Sequence, residues 1–153
     1  MVLDFYDKRI LHHLQLNAKV THRKMSEELG LSLTAVYERV KRLERNGIIK
    51  KYSIEVDASK LGKKQKIFCL VNLKNHSKKE FSRFVGQMDG FSEVMECYQL
   101  AGEFDFMLKV LVRDIADYQE FIIDKFGELE NVAQVKTAFV LSDEKISEII
   151  PVD

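Results

Sequence analysis

The stretch from Leu29 to Tyr52, LGLSLTAVYERVKRLERNGIIKKY, limits the possible folds more than any other part of the chain. Ser32 has the side chain that caps the amino end of a helix, and the pair Asn46-Gly47 is typical of a helix end. Between them, apolar residues recur at the i, i+4, i+7 spacing of one buried stripe, at Val36, Val40 and Leu43. The pattern predicts a helix with one buried side and one polar side.

Two shorter helices are predicted before this one. The first spans Asp4 to Leu16, and the second runs from about Arg23 to Leu29, where Gly30 permits a sharp turn. Three helices with a turn of about four residues before the third are typical of a helix-turn-helix, although a small helical packing module has the same spacing. The exposed face of the third helix favours DNA binding, because it consists largely of polar and cationic residues: Thr34, Ala35, Tyr37, Glu38, Lys41, Arg42 and Arg45, with Arg39 beside them.

The charge of the chain is balanced only as a sum, with 24 Lys and Arg against 24 Asp and Glu. Residues 1–64 hold 14 cationic and 8 acidic side chains, a net of +6, whereas residues 65–153 hold 10 and 16, a net of −6. This asymmetry indicates that the first half contacts a polyanion and that the second half has another role.

The second half has the pattern of an α+β domain. Segments 65–73, 91–101, 104–112 and 132–141 have the composition of strands, and helices are predicted after Ser77 and after Asp114. The order βαββαβ is that of a ferredoxin-like fold, a four-stranded antiparallel sheet with two helices on one face. The other face is then free to bind a ligand, a second subunit or a nucleic acid.

Two further segments complete the predicted organisation. Residues 48–56 alternate apolar and polar side chains and are expected to form an extended strand, after which the sequence LGKK at 61–64 is expected to be a hinge. The tail at 143–150 is expected to form a short helix. We therefore expect one domain over residues 1–60, including the linker strand, and a second over residues 61–153.

The sequence offers little for catalysis or for membrane insertion. Its four histidines lack the i, i+4 spacing of a metal site, and it contains no glycine-rich phosphate loop and no G-x-S-x-G motif. Cys69 and Cys97 lie in apolar, strand-like runs and are expected to be reduced core residues. No apolar run approaches the roughly 18 residues of a membrane helix, and we therefore expect a cytoplasmic protein. Because the catalytic and metal-binding motifs are missing, we also expect no enzymatic activity, no cofactor and no bound metal.

An RNA-recognition module is the competing interpretation of the second domain. It has the same βαββαβ order and carries aromatic residues on its first and third strands, and the run IFCLVNL is similar to its first-strand signature. The start of the third strand and the turn before it, GEFDF at 102–106, have acids where that signature has a basic residue and glycines. An acidic surface repels phosphate, and this disfavours RNA as the ligand.

Several segments, in the right order, resemble the Lrp/AsnC or feast/famine family of bacterial and archaeal transcription regulators. They are LDFYDKRIL, LGLSLTAVYERVKRLERNGIIKKYSIEVD, Leu61-Gly62, VMECYQLAGEFDFMLKV, and Thr137 before FVL. The resemblance implies a winged or simple helix-turn-helix that binds double-stranded DNA. It further implies a ferredoxin-like domain that binds a small-molecule effector, expected to be an amino acid. Homodimers that pair through their sheets, commonly assembled into octamers, are also implied.

The chain departs from the family pattern at three places. Ser32-Leu33-Thr34-Ala35 stands where the family often has Ser-Pro-Thr-Pro, so the cap remains although the prolines are absent. Gly102-Glu103-Phe104-Asp105 stands where many relatives have Gly-Asp-x-Asp, which keeps the glycine and the last acid. Lys19 stands where arginine is frequent, so the charge remains without the bidentate guanidinium.

The DNA-binding residues are predicted on the third helix. Near bases or phosphates we expect Ser32, Thr34, Ala35 and Tyr37. Along the phosphate backbone we expect Arg39, Lys41 and Arg42, with Glu38 on the same face. For any single cation of this helix, a solvated surface position is the alternative.

The effector site is predicted at the turn before the third strand. Glu103 or Asp105 is expected to bind the ammonium of an amino acid, and the backbone amides around Ala101 and Gly102 are expected to bind its carboxylate. Thr137 would add a hydroxyl. Two alternatives remain: the glycine and the last acid only shape a hairpin, or the protein is an effector-independent architectural DNA-binding protein of the same fold.

Overall fold

A computed structural model of the chain describes residues 2–147 and 149–152. The chain forms two compact units, Met1–Glu55 with Glu144–Asp153, and Val56–Asp143. By its contacts the tail therefore belongs with the first unit, whereas the sequence placed it in the second domain. None of the helices in the described part is long and apolar enough to cross a membrane.

The first unit contains the three predicted helices, α1 (Phe5–Leu16), α2 (His22–Leu29) and α3 (Leu33–Arg45). Each begins at a side-chain cap, because Asp4, Thr21 and Ser32 each accept a hydrogen bond from a backbone amide of the first turn. α2 ends at Gly30, whose φ of 65° is a left-handed conformation that glycine adopts without strain. The predicted turn between α2 and α3 is therefore confirmed.

The core of the first unit forms where the three helices meet. The predicted stripe of α3 is buried, and it packs against buried residues of α1 and α2: Ile10, Leu11 and Met25. Removing a side chain of this size from water stabilises the fold by about 1.5–3 kcal/mol. Because this core uses only one side of α3, the opposite side remains available for a ligand.

The predicted strand over residues 48–56 is wrong for the chain by itself. The segment is irregular and unpaired, and its apolar residues Tyr52, Ile54 and Val56 are exposed. Alternation makes a segment compatible with a sheet, but a strand also needs a neighbouring strand for its amides and carbonyls. The predicted hinge at 61–64 begins at the last residue of a 3₁₀ turn, Ala58–Leu61, and contains Gly62, whose φ is 80°.

The predicted helix in the tail is also wrong for the described residues. Residues 141–147 and 149–152 form neither helix nor strand, and residue 148, which the prediction included, lies outside the described residues. The tail is held by contacts with the first unit instead. The backbone amide and carbonyl of Ile150 bond the side chain of Gln15 at 2.7 and 3.1 Å, and Val152 packs against the helical core.

The second unit has the predicted βαββαβ order. Its elements are β1 (Gln65–Leu73), α4 (Lys78–Met88), β2 (Val94–Gln99), β3 (Phe106–Val112), α5 (Ile115–Glu120) and β4 (Val132–Phe139). The strands form one antiparallel sheet in the order β2-β3-β1-β4, with β1 at the centre. The fold is therefore α+β, with a helix-turn-helix unit and a ferredoxin-like unit, as predicted.

One face of this sheet is covered by the helices. Alternate residues of β1 and β3 are buried there, including Cys69, and they pack against Phe84 of α4 and Phe121. α5 continues as a π-helical segment, Phe121–Phe126. Cys69 is a buried core residue, as predicted, whereas Cys97 is only half-buried, and no disulfide joins the two.

The opposite face of the sheet has no covering element within the second unit. Strand alternation places apolar and cationic residues together on this face. Six of them, on β1 and β3, are half-buried by their neighbours: Phe68, Leu70, Met107, Leu111, Lys66 and Lys109. A mixed face of this kind is suited to a second protein surface.

Candidate nucleic-acid interface and effector loop

The outer side of α3 lies opposite the buried stripe and is largely open to solvent. Ser32, Thr34, Tyr37, Glu38 and Lys41 are exposed, as predicted for DNA-binding residues. The Ser32 hydroxyl accepts a bond from the Ala35 amide at 3.1 Å and keeps its own proton for a further acceptor.

The other three predicted DNA-binding residues, Ala35, Arg39 and Arg42, are half-buried. Both arginines face α1 and bind its carboxylates. Arg39 Nη1 lies 2.6 Å from Asp4 Oδ2 and 2.8 Å from Asp7 Oδ1. Arg42 Nη2 lies 2.7 and 2.6 Å from the two carboxylate oxygens of Asp7.

This ion-pair network, formed by Asp4, Asp7, Arg39 and Arg42, changes the charge that α3 presents. The hydrogen bond from the Asp7 amide and the Arg39 guanidinium hold the pKa of the Asp4 carboxyl below its usual value, and the two carboxylates raise the pKa of Arg39. Asp7 is the only charged residue buried in the described chain. The network therefore fixes α3 against α1 and neutralises part of its positive charge.

On α3, the cationic side chains that remain available to a polyanion are Lys41 and Arg45. Lys41 Nζ is 3.7 Å from Glu44 Oε2, a distance at which an exposed pair contributes little, and it lies 5.8 Å from the centre of the Tyr37 ring. Arg45 is exposed, and no ion pair holds it within the described residues. Lys50 and Lys51 are exposed just beyond the helix.

The predicted effector residues Ala101, Gly102 and Glu103 form an exposed loop between β2 and β3. The Leu100 amide closes the loop by donating to the Asp105 carbonyl at 2.8 Å. Gly102 has a φ of 155°, a conformation that L side chains rarely adopt, and a Cβ added there would have open space around it. A side chain is therefore excluded by the backbone conformation and not by crowding.

Asp105 forms hydrogen bonds with β1, whereas the effector hypothesis expects its carboxylate to be free for an ammonium group. Its Oδ2 accepts from the Leu73 amide at 2.8 Å and lies 3.0 Å from His76 Nε2. Its own amide donates to the Val71 carbonyl at 3.0 Å and to Asn72 Oδ1 at 3.1 Å. This arrangement favours the alternative in which Asp105 shapes the end of the sheet.

Thr137 is not brought to the loop within one chain. It lies opposite Cys69 on β1, whereas Asp105 lies beside the end of β1, so they are about 10 Å apart along the strands. The Thr137 hydroxyl bonds the Tyr118 hydroxyl at 2.6 Å, which lies 3.3 Å from the Cys69 sulfur. Burial raises the pKa of the Tyr118 hydroxyl and of the Cys69 thiol, so both are neutral in this cluster.

Sequence reasoning missed the partners of these residues. The pairing of Asp4 and Asp7 with α3 was not predicted, because contacts between residues 32 and 35 positions apart depend on how two helices pack. The contact between His76 and Asp105 was not predicted either. No group of three His, Cys, Asp or Glu able to hold a metal ion occurs among the described residues.

Two family models match the chain and together span most of it. The Lrp/AsnC ligand binding domain matches residues 66–150, and a winged helix-turn-helix DNA-binding domain matches residues 3–50. These ranges contain the loop between β2 and β3 and the helix α3, respectively.

Proteins similar along their whole length include two regulators and one solved complex. The chain is 37% identical over 153 residues to the transcriptional regulator AzlB of Bacillus subtilis, covering 100% of this chain and 98% of that protein. It is 32% identical over 143 residues to the leucine-responsive regulatory protein of Rhizobium meliloti, covering 94% and 92%. A transcriptional regulator from Neisseria meningitidis, solved as its L-Met complex, superposes with a TM-score of 0.92 at 27% identity over 98% of this chain and 97% of that one.

Proposed function

The chain belongs to the Lrp/AsnC family of transcriptional regulators, and from this premise we propose that it binds operator DNA through α3 in a manner that a small amino acid alters. One observation carries the proposal. The side of α3 opposite the buried stripe presents hydroxyl and cationic groups, with Ser32 and Thr34 at its start and Lys41 and Arg45 farther along.

Different residues of α3 have different roles in DNA binding. Lys41 and Arg45 contact phosphates, because their side chains are exposed and take no part in the ion-pair network with α1. Ser32 and Thr34, at the amino end of the helix, lie near base edges. Arg39 and Arg42 act mainly by holding α3 at a fixed angle on α1, and Arg42 keeps enough exposure, 42% of its side chain, to reach a phosphate while paired.

The effector is a small amino acid bound at the loop between β2 and β3. The L-Met complex of the Neisseria regulator supports this class of ligand for a chain of the same fold. Glu103 binds the ammonium in preference to Asp105, because the carboxylate of Asp105 already accepts the Leu73 amide. Thr137 takes part only as a residue of a neighbouring copy, since within one chain it lies about 10 Å from Asp105 along the strands and farther from the loop.

The open face of the sheet, with Phe68 and Leu70 near its centre, is the surface through which two copies pair, and octamers assemble from such dimers. In such a dimer, segment 48–56, which is unpaired in one chain, pairs with a strand of the second copy. A dimer presents two copies of α3 to half-sites about one duplex turn, roughly 34 Å, apart. A ligand bound between copies then alters the spacing of these helices and so the affinity for DNA.

The test is selection of bound fragments from random duplex DNA by the full-length protein, with and without each common amino acid. We expect an enriched site with twofold symmetry, and one or more amino acids that change the fraction bound. Failure to enrich any sequence would refute the DNA-binding proposal. Enrichment that is identical with every amino acid would favour the effector-independent architectural protein.

Matched variants test the loop separately. An amino acid at 100 times its dissociation constant should stabilise the protein by about 2.7 kcal/mol, which is visible as a rise in melting temperature. Glu103→Gln should reduce this rise without changing the melting temperature of the free protein, because Glu103 is exposed. Glu128→Gln, an exposed change outside the loop, should leave the rise intact. Equal ligand responses in the two variants would remove Glu103 from the site.

A further inference from the structure

We propose that Leu33 and Tyr37 contact the 5-methyl group of a thymine in the major groove and so select thymine at one position of each half-site. The inference rests on the DNA-binding function proposed above. It concerns which base is recognised and by which side chains.

The two residues lie on the same side of α3, one turn apart, and both are exposed: 54% for Leu33 and 44% for Tyr37. With Thr34 and with His22, the first residue of α2, they line a hollow of about 300 Å³. The His22 and Tyr37 rings meet edge to face, with centroids 5.8 Å apart and planes at 69°. The hollow is therefore lined by a leucine, a threonine and two rings that contact each other edge to face.

The helical core does not need Leu33. The stripe of α3 that fills the core is the Val36, Val40 and Leu43 series, which is fully buried. A single exposed leucine is ordinary on a protein surface. Here the leucine occupies the first turn of the helix whose amino end meets base edges in a helix-turn-helix complex, and it lies beside a second apolar group.

The chemistry of the hollow favours thymine over the other bases. In the major groove, thymine is the base that presents a methyl group, and apolar side chains are its ordinary partners. Cytosine at the same position would place its amino group near Leu33 and would lose water without gaining a hydrogen bond from that residue. The Lys41 ammonium lies 5.8 Å from the centre of the Tyr37 ring, and we expect it to contact a phosphate next to this thymine.

The experiment begins with the duplex selected by the full-length protein. Each thymine of the selected site is replaced, one at a time, by deoxyuridine, which lacks only the 5-methyl group. At one thymine in each half-site we expect affinity to fall about fourfold, which is the size of the effect of transferring one methyl group out of water. At the same position, 5-methylcytosine should bind about fourfold more tightly than cytosine.

A pair of leucine variants assigns the effect to the hollow. Leu33→Ala should discriminate less than the parent protein between the thymine and deoxyuridine duplexes, because only the Tyr37 ring remains beside the methyl group, and it should retain the dependence of binding on salt. Leu16→Ala, which truncates a leucine that is 59% exposed at the end of α1, should keep the fourfold discrimination. Melting temperatures of both variants near that of the parent protein show that the comparison is between folded proteins.

The outcomes separate the inference from the function on which it rests. If no duplex is enriched, both are refuted. If a duplex is enriched but deoxyuridine has no effect at any thymine, or if Leu33→Ala keeps the full discrimination, the thymine contact is refuted and DNA binding by α3 stands.

Discussion

Replacing Asp7 by asparagine should destabilise the helical unit more than any other single change of charge. The Asp7 side chain is 1% exposed and accepts bonds from Arg39 at 2.8 Å and from Arg42 at 2.7 and 2.6 Å. Its Oδ2 also accepts the Asp4 amide at 3.2 Å. Asparagine has nearly the same volume, so the substitution removes the charge without opening a cavity.

Removing one partner of a buried ion pair costs about 3–5 kcal/mol, because the other charge is left without compensation. The two arginines are partly exposed, 23% and 42%, so water recovers part of the loss and we expect the lower end of that range, about 3 kcal/mol. For a unit of this size the change corresponds to a fall in melting temperature of more than about 10 °C.

Asp4→Asn is the matched control. It removes a carboxylate of the same network, but this side chain is 49% exposed, and asparagine caps a helix as well as aspartate does. Its cost should stay below about 1 kcal/mol. Thermal and urea unfolding followed by helical circular dichroism measures both variants. Equal losses, or a loss below about 1 kcal/mol for Asp7→Asn, would refute the assignment of this network as the main electrostatic contact between α1 and α3.

Four further substitutions probe the second unit. Gly127→Ala should lower the melting temperature markedly, because a Cβ there would lie 2.7 Å from the Ile123 carbonyl oxygen, whereas Gly86→Ala, with open space around it inside α4, should raise stability by about 0.5–1 kcal/mol. The Arg113 guanidinium and amide hold the pKa of the Asp117 carboxyl below its ordinary value of 3.8, so the carboxylate stabilises the fold above about pH 4 and this contribution is lost as pH falls through the lowered folded pKa. The difference in melting temperature between the parent protein and Asp117→Asn should therefore be larger at pH 7 than at pH 3. Asp105→Asn should lower the melting temperature of the ligand-free protein, because the carboxylate accepts the Leu73 amide, and an unchanged melting temperature would contradict its structural role.

The parts of the fold that depend on local chemistry could be predicted from the sequence. The caps at Ser32 and Asp114 and the buried stripe of α3 follow from residues within a few positions of one another. The βαββαβ order follows in the same way from the change between helical and strand periodicity. For the same reason, the exposed face of α3 was identified correctly at Thr34 and Lys41.

The parts that depend on distant partners could not be predicted. Whether Arg39 is free for DNA depends on a carboxylate 32 positions away, and whether Asp105 is free for an ammonium depends on the register between β1 and β3. The segment 48–56 has the alternation of a strand, yet nothing within one chain pairs with it. In each case the local pattern is correct and the tertiary partner decides the outcome.

The most direct test of the account is the salt dependence of binding to the selected duplex, measured for the full-length protein and for Lys41→Ala. If the outer face of α3 contacts phosphates, the logarithm of affinity should fall linearly with the logarithm of salt concentration, and the slope should be about 0.9 smaller in magnitude for the variant. Lys79→Ala, at an exposed position of α4, should retain the parent slope. Identical slopes for Lys41→Ala and the parent protein would contradict the central claim that this face of α3 binds DNA.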